Sequence, residues 1–317
     1  MNDVLQSRAD IAAAERAIAG VVHRTPLVRS QTLSDRLGVD LWLKLENFQK
    51  TGSFKVRGAL QYVGAHAAEA RARGTVTFSA GNHAQALAWA ASRVGAKATV
   101  VMPATAVQAK VDATRGYGGE VVLTEGSLVE AVHALREERG LLFVHPFDDP
   151  HIIAGQGTLG AEIVADLPDV ETIVCGVGGG GMLAGVGVVA RAHRDGIRVI
   201  GVEPVGADAM RRSLDAGHAV TLARTQTIAD GLAAPLAGRV TYAYVRDLGL
   251  EVLTIDDAPI VDAMWTLMER CKLVVEPAAA AGLGALLSGR VALRPGERVV
   301  CVVSGGNVDR ARLKALA

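Results

Sequence analysis

The sequence has no surplus of either charge: 33 lysines and arginines stand against 33 aspartates and glutamates in 317 residues. Without a net positive field it lacks the general means of holding nucleic acid or an anionic membrane, so the expected partner is a small molecule. Cysteine is scarce. Cys175, Cys271 and Cys301 are odd in number, far apart and set in apolar stretches, which excludes a disulfide framework or a zinc spacing and suits buried thiols of a reducing compartment. No leader is visible, because Asp3, Arg8, Asp10 and Glu15 interrupt the alanines of the N-terminus, and the cytoplasm is the expected location. Long apolar runs are nearly absent too. Ile173 to Ala190 carries no charge over 18 residues, but seven of them are glycine, which opposes a membrane helix and predicts strand, loop, then helix. There is no internal repeat and no Pro/Ser-rich linker, so if the chain forms two lobes their joins are short.

What is present is a composition that is 50% hydrophobic and 21% charged, which excludes a disordered or collagenous chain and leaves a globular protein. Its length suits one large α/β domain or two lobes sharing a core. Short β-branched runs recur at Thr75 to Ser79, Ala98 to Met102, Glu120 to Thr124, Thr172 to Val177, Arg198 to Glu203 and Arg298 to Ser304. Helical patterns lie between them. In Ser127 to Arg139, Leu128, Ala131, Val132 and Leu135 share a face, Ser127 and Glu130 make a capping-box pattern, and Gly140 follows. Near-continuous apolar strands alternating with amphipathic helices predict a mostly parallel α/β sheet covered on both faces. Ligands of such sheets sit at the carboxyl ends of the strands.

Four segments end a predicted strand with chemistry. Glu46AsnPheGlnLysThrGlySerPheLysValArgGly58 carries Lys55 at the start of an apolar helical stretch, where partial burial would lower its pKa and free a nucleophilic amine. A snorkelling surface lysine is the plain alternative. Gly176ValGlyGlyGlyGlyMetLeuAlaGly185 joins strand to helix, so backbone amides and the positive helix end converge where a phosphate would sit. Close helix packing would account for one glycine but not four in a row. Ser79AlaGlyAsnHisAlaGln85 suits a carboxylate, with helix capping by Ser79 or Asn82 as the rival account. The last strand delivers Ser304GlyGlyAsn307, and Glu276 opens an alanine-rich helix. Gly176, Gly178 and Gly181, with Glu203 about twenty residues beyond them, also satisfy a dinucleotide fingerprint. A nicotinamide dinucleotide-dependent dehydrogenase therefore stays open. Glu203 and Asp208 do not suffice to name a metal site.

Taken in order, the lysine segment, SAGNHAQ, GGGG and SGGN resemble the pyridoxal-phosphate enzymes of the threonine dehydratase and serine racemase family, over nearly the whole chain. His23ArgThrProLeu27, Val101MetPro103, Pro146PheAspAsp149 and Ile153AlaGlyGlnGlyThrLeuGly160 agree with it. The resemblance implies a fold type II enzyme with pyridoxal 5'-phosphate in the cleft between a large lobe, 1–71 and 151–317, and a small lobe, 72–150. It implies that Lys55 holds the cofactor as a Schiff base and then removes the substrate α-proton. Phe54 and Asn82 would contact the ring and its 3'-oxygen, and Gly178, Gly179, Gly180, Gly181 and Met182 would bind the phosphate. Glu276 and Ser304 would complete the cofactor pocket, Ser304 facing the pyridine nitrogen. Ser79, Ala80, Gly81, Asn82 and His83 would close on the substrate carboxylate.

The activity so implied is dehydration and deamination of L-threonine or L-serine by a homodimer or homotetramer. A dehydratase of another β-hydroxy amino acid, such as phenylserine or hydroxyaspartate, and a serine racemase are the near alternatives; a catalytically silent amino-acid sensor is a further one. Three departures bear on them. Ala80 stands where the racemase branch has a proton-donating serine, so elimination with little racemisation is expected. Ala278 and Ala279, directly after Glu276 and Pro277, replace the family's more usual serine or threonine and then glycine, which bears on substrate scope. Ala209 stands where that branch has a metal-binding aspartate and Asp208 is one position off, so no metal ligand is assigned. The sequence ends soon after Asn307, and an isoleucine-sensing domain is not expected.

Overall fold

Near-continuous apolar stretches sort into two sheets in a computed structural model that describes residues 7–317; the first six residues, Asp3 among them, lie outside the described part. The strands are β1 (Leu27–Arg29), β2 (Asp40–Leu45), β3 (Thr75–Phe78), β4 (Ala98–Pro103), β5 (Gly119–Thr124), β6 (Leu142–Phe143), β7 (Thr172–Gly176), β8 (Arg198–Pro204), β9 (Glu251–Ile255) and β10 (Arg298–Val303). The larger sheet runs β1-β2-β10-β7-β8-β9 and is parallel except for β1. The smaller runs β5-β4-β3-β6 and is parallel throughout. All six strands predicted from β-branched runs are present, each within a residue of its expected ends.

Burial on both faces explains the apolar runs. Every residue of β7 is buried, as are Val299 to Val303 of β10, with helices Pro150–Asp166 and Gly181–His193 in one hydrophobic core and helix Pro277–Leu287 in the other. Cys175 and Cys301 are fully buried free thiols in these strands. The 18-residue uncharged stretch divides into β7, a glycine turn and a helix, and no helix of the described residues is long and apolar enough to cross a membrane. Helix Leu128–Arg139 begins at Ser127, whose Oγ accepts the Glu130 amide at 3.3 Å, and ends at left-handed Gly140.

The strand order decides where chemistry collects. β10, the last strand, pairs with β2 on one side and β7 on the other, with Cys301 opposite both Leu43 and Val174. The segments leaving the carboxyl ends of β2, β10 and β7 are therefore neighbours, although they come from the beginning, end and middle of the chain. Behind them lies a buried ionic cluster. Arg57 donates to Glu46 Oε2 and Oε1 at 2.8 Å each and to Glu162 Oε1 at 2.7 Å, and Lys44 Nζ donates to Glu162 Oε2 at 2.6 Å. Two positive and two negative charges cancel there. Burial works against the Arg57 charge, but Glu46 and Glu162 outweigh it and raise its pKa. The cluster ties β2 and helix Pro150–Asp166 to helix Lys55–Ala65, whose first residue faces the cleft.

Candidate active site

Between β2 and helix Lys55–Ala65 the chain makes two tight turns with Thr51 and Gly52 both left-handed, at φ 60° and 72°. It is then held to the end of β10: Ser53 bridges Gly305, and Phe54 N–H donates to Ser304 O at 3.1 Å. Lys55 emerges half-buried. Its Nζ donates to Pro146 O at 2.9 Å and lies 5.3 Å from the centre of the Phe54 ring. Burial brings its pKa down to about 8, against the opposing pull of Glu276. The surface-lysine alternative does not hold.

Pro146 belongs to the segment His145 to Asp149, which returns the chain from the smaller sheet. His145 Nδ1 accepts the Asp148 amide at 2.9 Å, so its proton sits on Nε2, and burial lowers its pKa to about 4. The Asp148 carboxylate accepts the first amides of helix Arg239–Asp247, those of Arg239, Val240 and Thr241, at 2.9–3.0 Å. Thr241 Oγ1 in turn donates to Gly179 O at 2.6 Å. The carbonyl that receives Lys55 and the turn of glycines are thus held by one connected set of bonds.

The glycine turn answers to packing and to binding at once. A Cβ on Gly179 would lie 2.2 Å from the Phe147 ring, and one on Gly180 2.6 Å from Met210 Cε, with Gly180 also left-handed at φ 92°. Crowding by the Phe147 ring at Gly179 and the left-handed backbone at Gly180 therefore demand these two glycines. Gly180 precedes helix Gly181–His193 and no side chain caps that helix, so its first amides point into the cleft without a protein side-chain partner.

Across the cleft, Ser79 Oγ accepts the Gly81 amide at 3.2 Å and no side chain caps helix Asn82–Arg93, so the capping account of Ser79 and Asn82 is not realised. Asn82 Nδ2 donates instead to Glu276 Oε1 at 2.6 Å. Burial pushes Glu276 up to about 7. His83 is 3% exposed and burial, then Lys55, lowers its pKa to about 3; its Nδ1 is buried without a hydrogen-bond partner. Phe54, Lys55, Ser79 to His83, Gly178 to Met182, Glu276 and Ser304 all line a single cavity of about 480 Å³. Sequence reasoning missed Thr241 behind the turn and the Lys110–Asp230 ion pair that lines the cavity, and it quoted Phe147 within Pro146PheAspAsp149 without giving it a role. Asn307 was quoted within SGGN but given no role.

Glu203 is elsewhere engaged. Its carboxylate accepts the Met210 and Arg211 amides at 2.9 and 2.8 Å, beginning helix Ala209–Ala216, and burial pushes it up to about 8. It is fully buried and turned to the start of that helix, which removes the acid on which the dinucleotide fingerprint depended. Asp208 pairs with Arg212, and the described residues contain no group of three side chains suited to a metal ion.

A half-buried amine of lowered pKa, uncapped helix amides on the facing wall, and an orphaned polar atom in His83 fit a ligand with an aldehyde and a phosphate. These features, on this two-sheet parallel fold, define a pyridoxal-phosphate enzyme. Residues 18–305 match the family described as pyridoxal-phosphate dependent enzyme, and the chain belongs to that family. It is 46% identical over 291 residues to an L-threonine ammonia-lyase of Geobacter sulfurreducens, covering 91% of this chain and 72% of the relative. Maize serine racemase superposes with a TM-score of 0.93 at 38% identity, covering 98% of this chain and 96% of that one. A threonine deaminase from T.th. gives 0.90 at 41% identity, covering 96% and 99%.

Proposed function

We propose that the chain catalyses β-elimination from L-threonine, L-serine or both, yielding 2-oxobutanoate or pyruvate and ammonia. The observation that carries this reading is the half-buried Lys55 amine, softened to about 8, opening on a cavity whose other wall is the uncapped glycine turn. Pyridoxal 5'-phosphate supplies, when bound, an aldehyde for an amine and a ring that takes up the charge left when an α-proton departs.

Lys55 would hold the cofactor covalently and, once displaced by the substrate amine, receive the α-proton at Nζ. A pKa near 8 keeps part of the amine neutral near pH 7 and returns an ammonium able to donate. The amides of Gly178 to Met182 and the positive end of their helix would hold the phosphate. Phe54 and Asn82 would contact the ring, and Glu276, which accepts the Asn82 N–H, would close the near wall. Ser304 offers the ring nitrogen a neutral hydroxyl, which does not hold a proton there as a carboxylate would. Ser79 to His83 receive the substrate carboxylate through N–H groups at a helix start. Ala80 has no proton to give to the opposite face of the substrate, which favours elimination over racemisation. The lobes 1–71 with 151–317, and 72–150, close on the substrate, and the enzyme works in the cytoplasm as a homodimer or homotetramer.

The test is direct. Purified protein is reduced with borohydride in the presence of pyridoxal 5'-phosphate and the label is mapped; ammonia and oxo acid are then measured with L-threonine, L-serine, their D-enantiomers and phenylserine. Label at Lys55 and ammonia lost in Lys55→Ala are the expected results. Undiminished ammonia release by Lys55→Ala overturns the reading.

A further inference from the structure

The two ends of an asparagine amide are nearly the same size, one donating and one accepting, so neighbours decide which way it faces. In this cleft the decision traces back to a peptide carbonyl. Thr51 O can only accept, and Asn307 Nδ2 lies 2.8 Å from it. That end of Asn307 is therefore its nitrogen. The same nitrogen lies 2.7 Å from Asn82 Oδ1, which leaves the Asn82 nitrogen to face Glu276 Oε1 at 2.6 Å. Two amide side chains from separate parts of the chain thus take their orientation from one backbone oxygen.

The lysine loop is shaped to hold that arrangement. Thr51 occupies the left-handed region, rare for a threonine, and this turn sets the direction of its carbonyl. A Cβ on Gly52 would lie 2.4 Å from Asn307 Oδ1, so any side chain there would displace the amide. Gly306 N–H donates to Gly52 O at 2.9 Å and keeps the two segments in register.

We propose that Asn307 is a positioning residue: it holds the amide nitrogen of Asn82, not its oxygen, toward Glu276 and the interior of the cleft. The consequence for the cofactor rests on the function proposed above; the orientation is a property of the chain alone. Without the Asn307 donor, the Asn82 oxygen loses its partner, only Glu276 itself still favours the nitrogen, and the hydrogen bond to Glu276 is no longer enforced from the lysine loop. Lys55, Lys110 and Asp230 also act on Glu276, and none of them is touched by a change at Asn307.

The experiment follows the protonated carboxyl band of Glu276 by infrared spectroscopy in the cofactor-free full chain against pH, with Glu276→Gln identifying the band. Asn307→Leu and Asn82→Leu are each expected to raise the midpoint by about one pH unit, the effect of losing one hydrogen bond to a charged group. The double variant should match either single one, because the two act in series. Asn307→Ala, which cannot crowd Gly52, repeats the measurement if the leucine variant does not fold. In the loaded enzyme the same variants should bind pyridoxal 5'-phosphate about tenfold more weakly, and equally so. A midpoint in Asn307→Leu or Asn307→Ala equal to the wild type, or single shifts that add in the double variant, overturns the role of Asn307. Failure of the chain to take up pyridoxal phosphate would instead refute the proposed function and leave the infrared result standing.

Discussion

Replacing Arg57 by methionine tests the buried ionic cluster behind the active lysine. Arg57 and Glu46 have no exposed side-chain surface and Glu162 only 10%, so water cannot replace what is lost. Methionine fills much of the same volume, which keeps the packing loss small. What remains is Glu46 with the Thr25 hydroxyl at 2.5 Å, and Glu162 with Lys44. Removing one member of a buried pair costs about 3–5 kcal/mol, a large part of a typical net stability of about 5–15 kcal/mol. The cost depends on pH with a definite sign. Burial tends to raise the Glu162 pKa, but Arg57 and Lys44 outweigh it and hold it low. Such a depressed carboxyl contributes stability above its unfolded pKa and loses it as pH falls through the folded one. Arg57→Met removes part of that contribution, so the gap between wild type and variant is widest at neutral pH and narrows in acid. Urea unfolding at pH 7 and at about pH 3.5, below the ordinary glutamate value of 4.5, measures both, provided the slopes agree. A loss below about 1 kcal/mol at pH 7, the range of an exposed pair, would refute the argument, as would a gap that widens in acid.

Three further outcomes follow from the site. Since burial brings Lys55 to about 8, capture of pyridoxal 5'-phosphate by the cofactor-free chain should accelerate with pH through about 8 and then level off in stopped-flow absorbance; acceleration that continues to the ordinary lysine value of 10.5 contradicts it. Thr241→Val leaves the Gly179 carbonyl without its 2.6 Å donor and should weaken cofactor binding about tenfold in equilibrium dialysis; an unchanged Kd would remove Thr241 from the support of the turn. With L-serine, chiral chromatography should find pyruvate but little D-serine, and Ala80→Ser should increase the D-serine; wild-type racemisation as fast as elimination would sink the role given to Ala80.

Much of this molecule could be read in advance because its central strands are buried on both faces and therefore written as apolar runs. β1, β6 and β9 escaped that reading, and β2 entered it only as the strand before the Glu46 segment, without bounds. The first two have three and two residues, too short for a period to register, and β9 begins exposed at the sheet edge. The lysine, glycine and asparagine segments were legible as strand-end motifs, and all reach one cavity. Their partners were not. Lys55 meets Pro146 across 91 residues and Asn82 meets Glu276 across 194, and spacing along a chain carries no information about such contacts.

The charges were the hardest to place. Lys44, Glu46, Arg57 and Glu162 are residue types that belong at the surface by default, and only their mutual neutralisation in three dimensions permits full burial. Arg57 lies two residues beyond Lys55 on the same helix, so the two side chains point in nearly opposite directions. One enters the ionic cluster and the other enters the cleft. The same helical turn that buries a permanently charged guanidinium among carboxylates thus presents an amine to a site that lowers its pKa. The difference lies in the partners. Arg57 has two carboxylates within hydrogen-bond reach, whereas Lys55 has a carbonyl oxygen and a distant, partly protonated Glu276. A lysine at 57 would lack the forked donors that reach both glutamates, and an arginine at 55 would never release its proton. The order lysine, then arginine two residues on, is required by the different chemistry on the two sides of one helix.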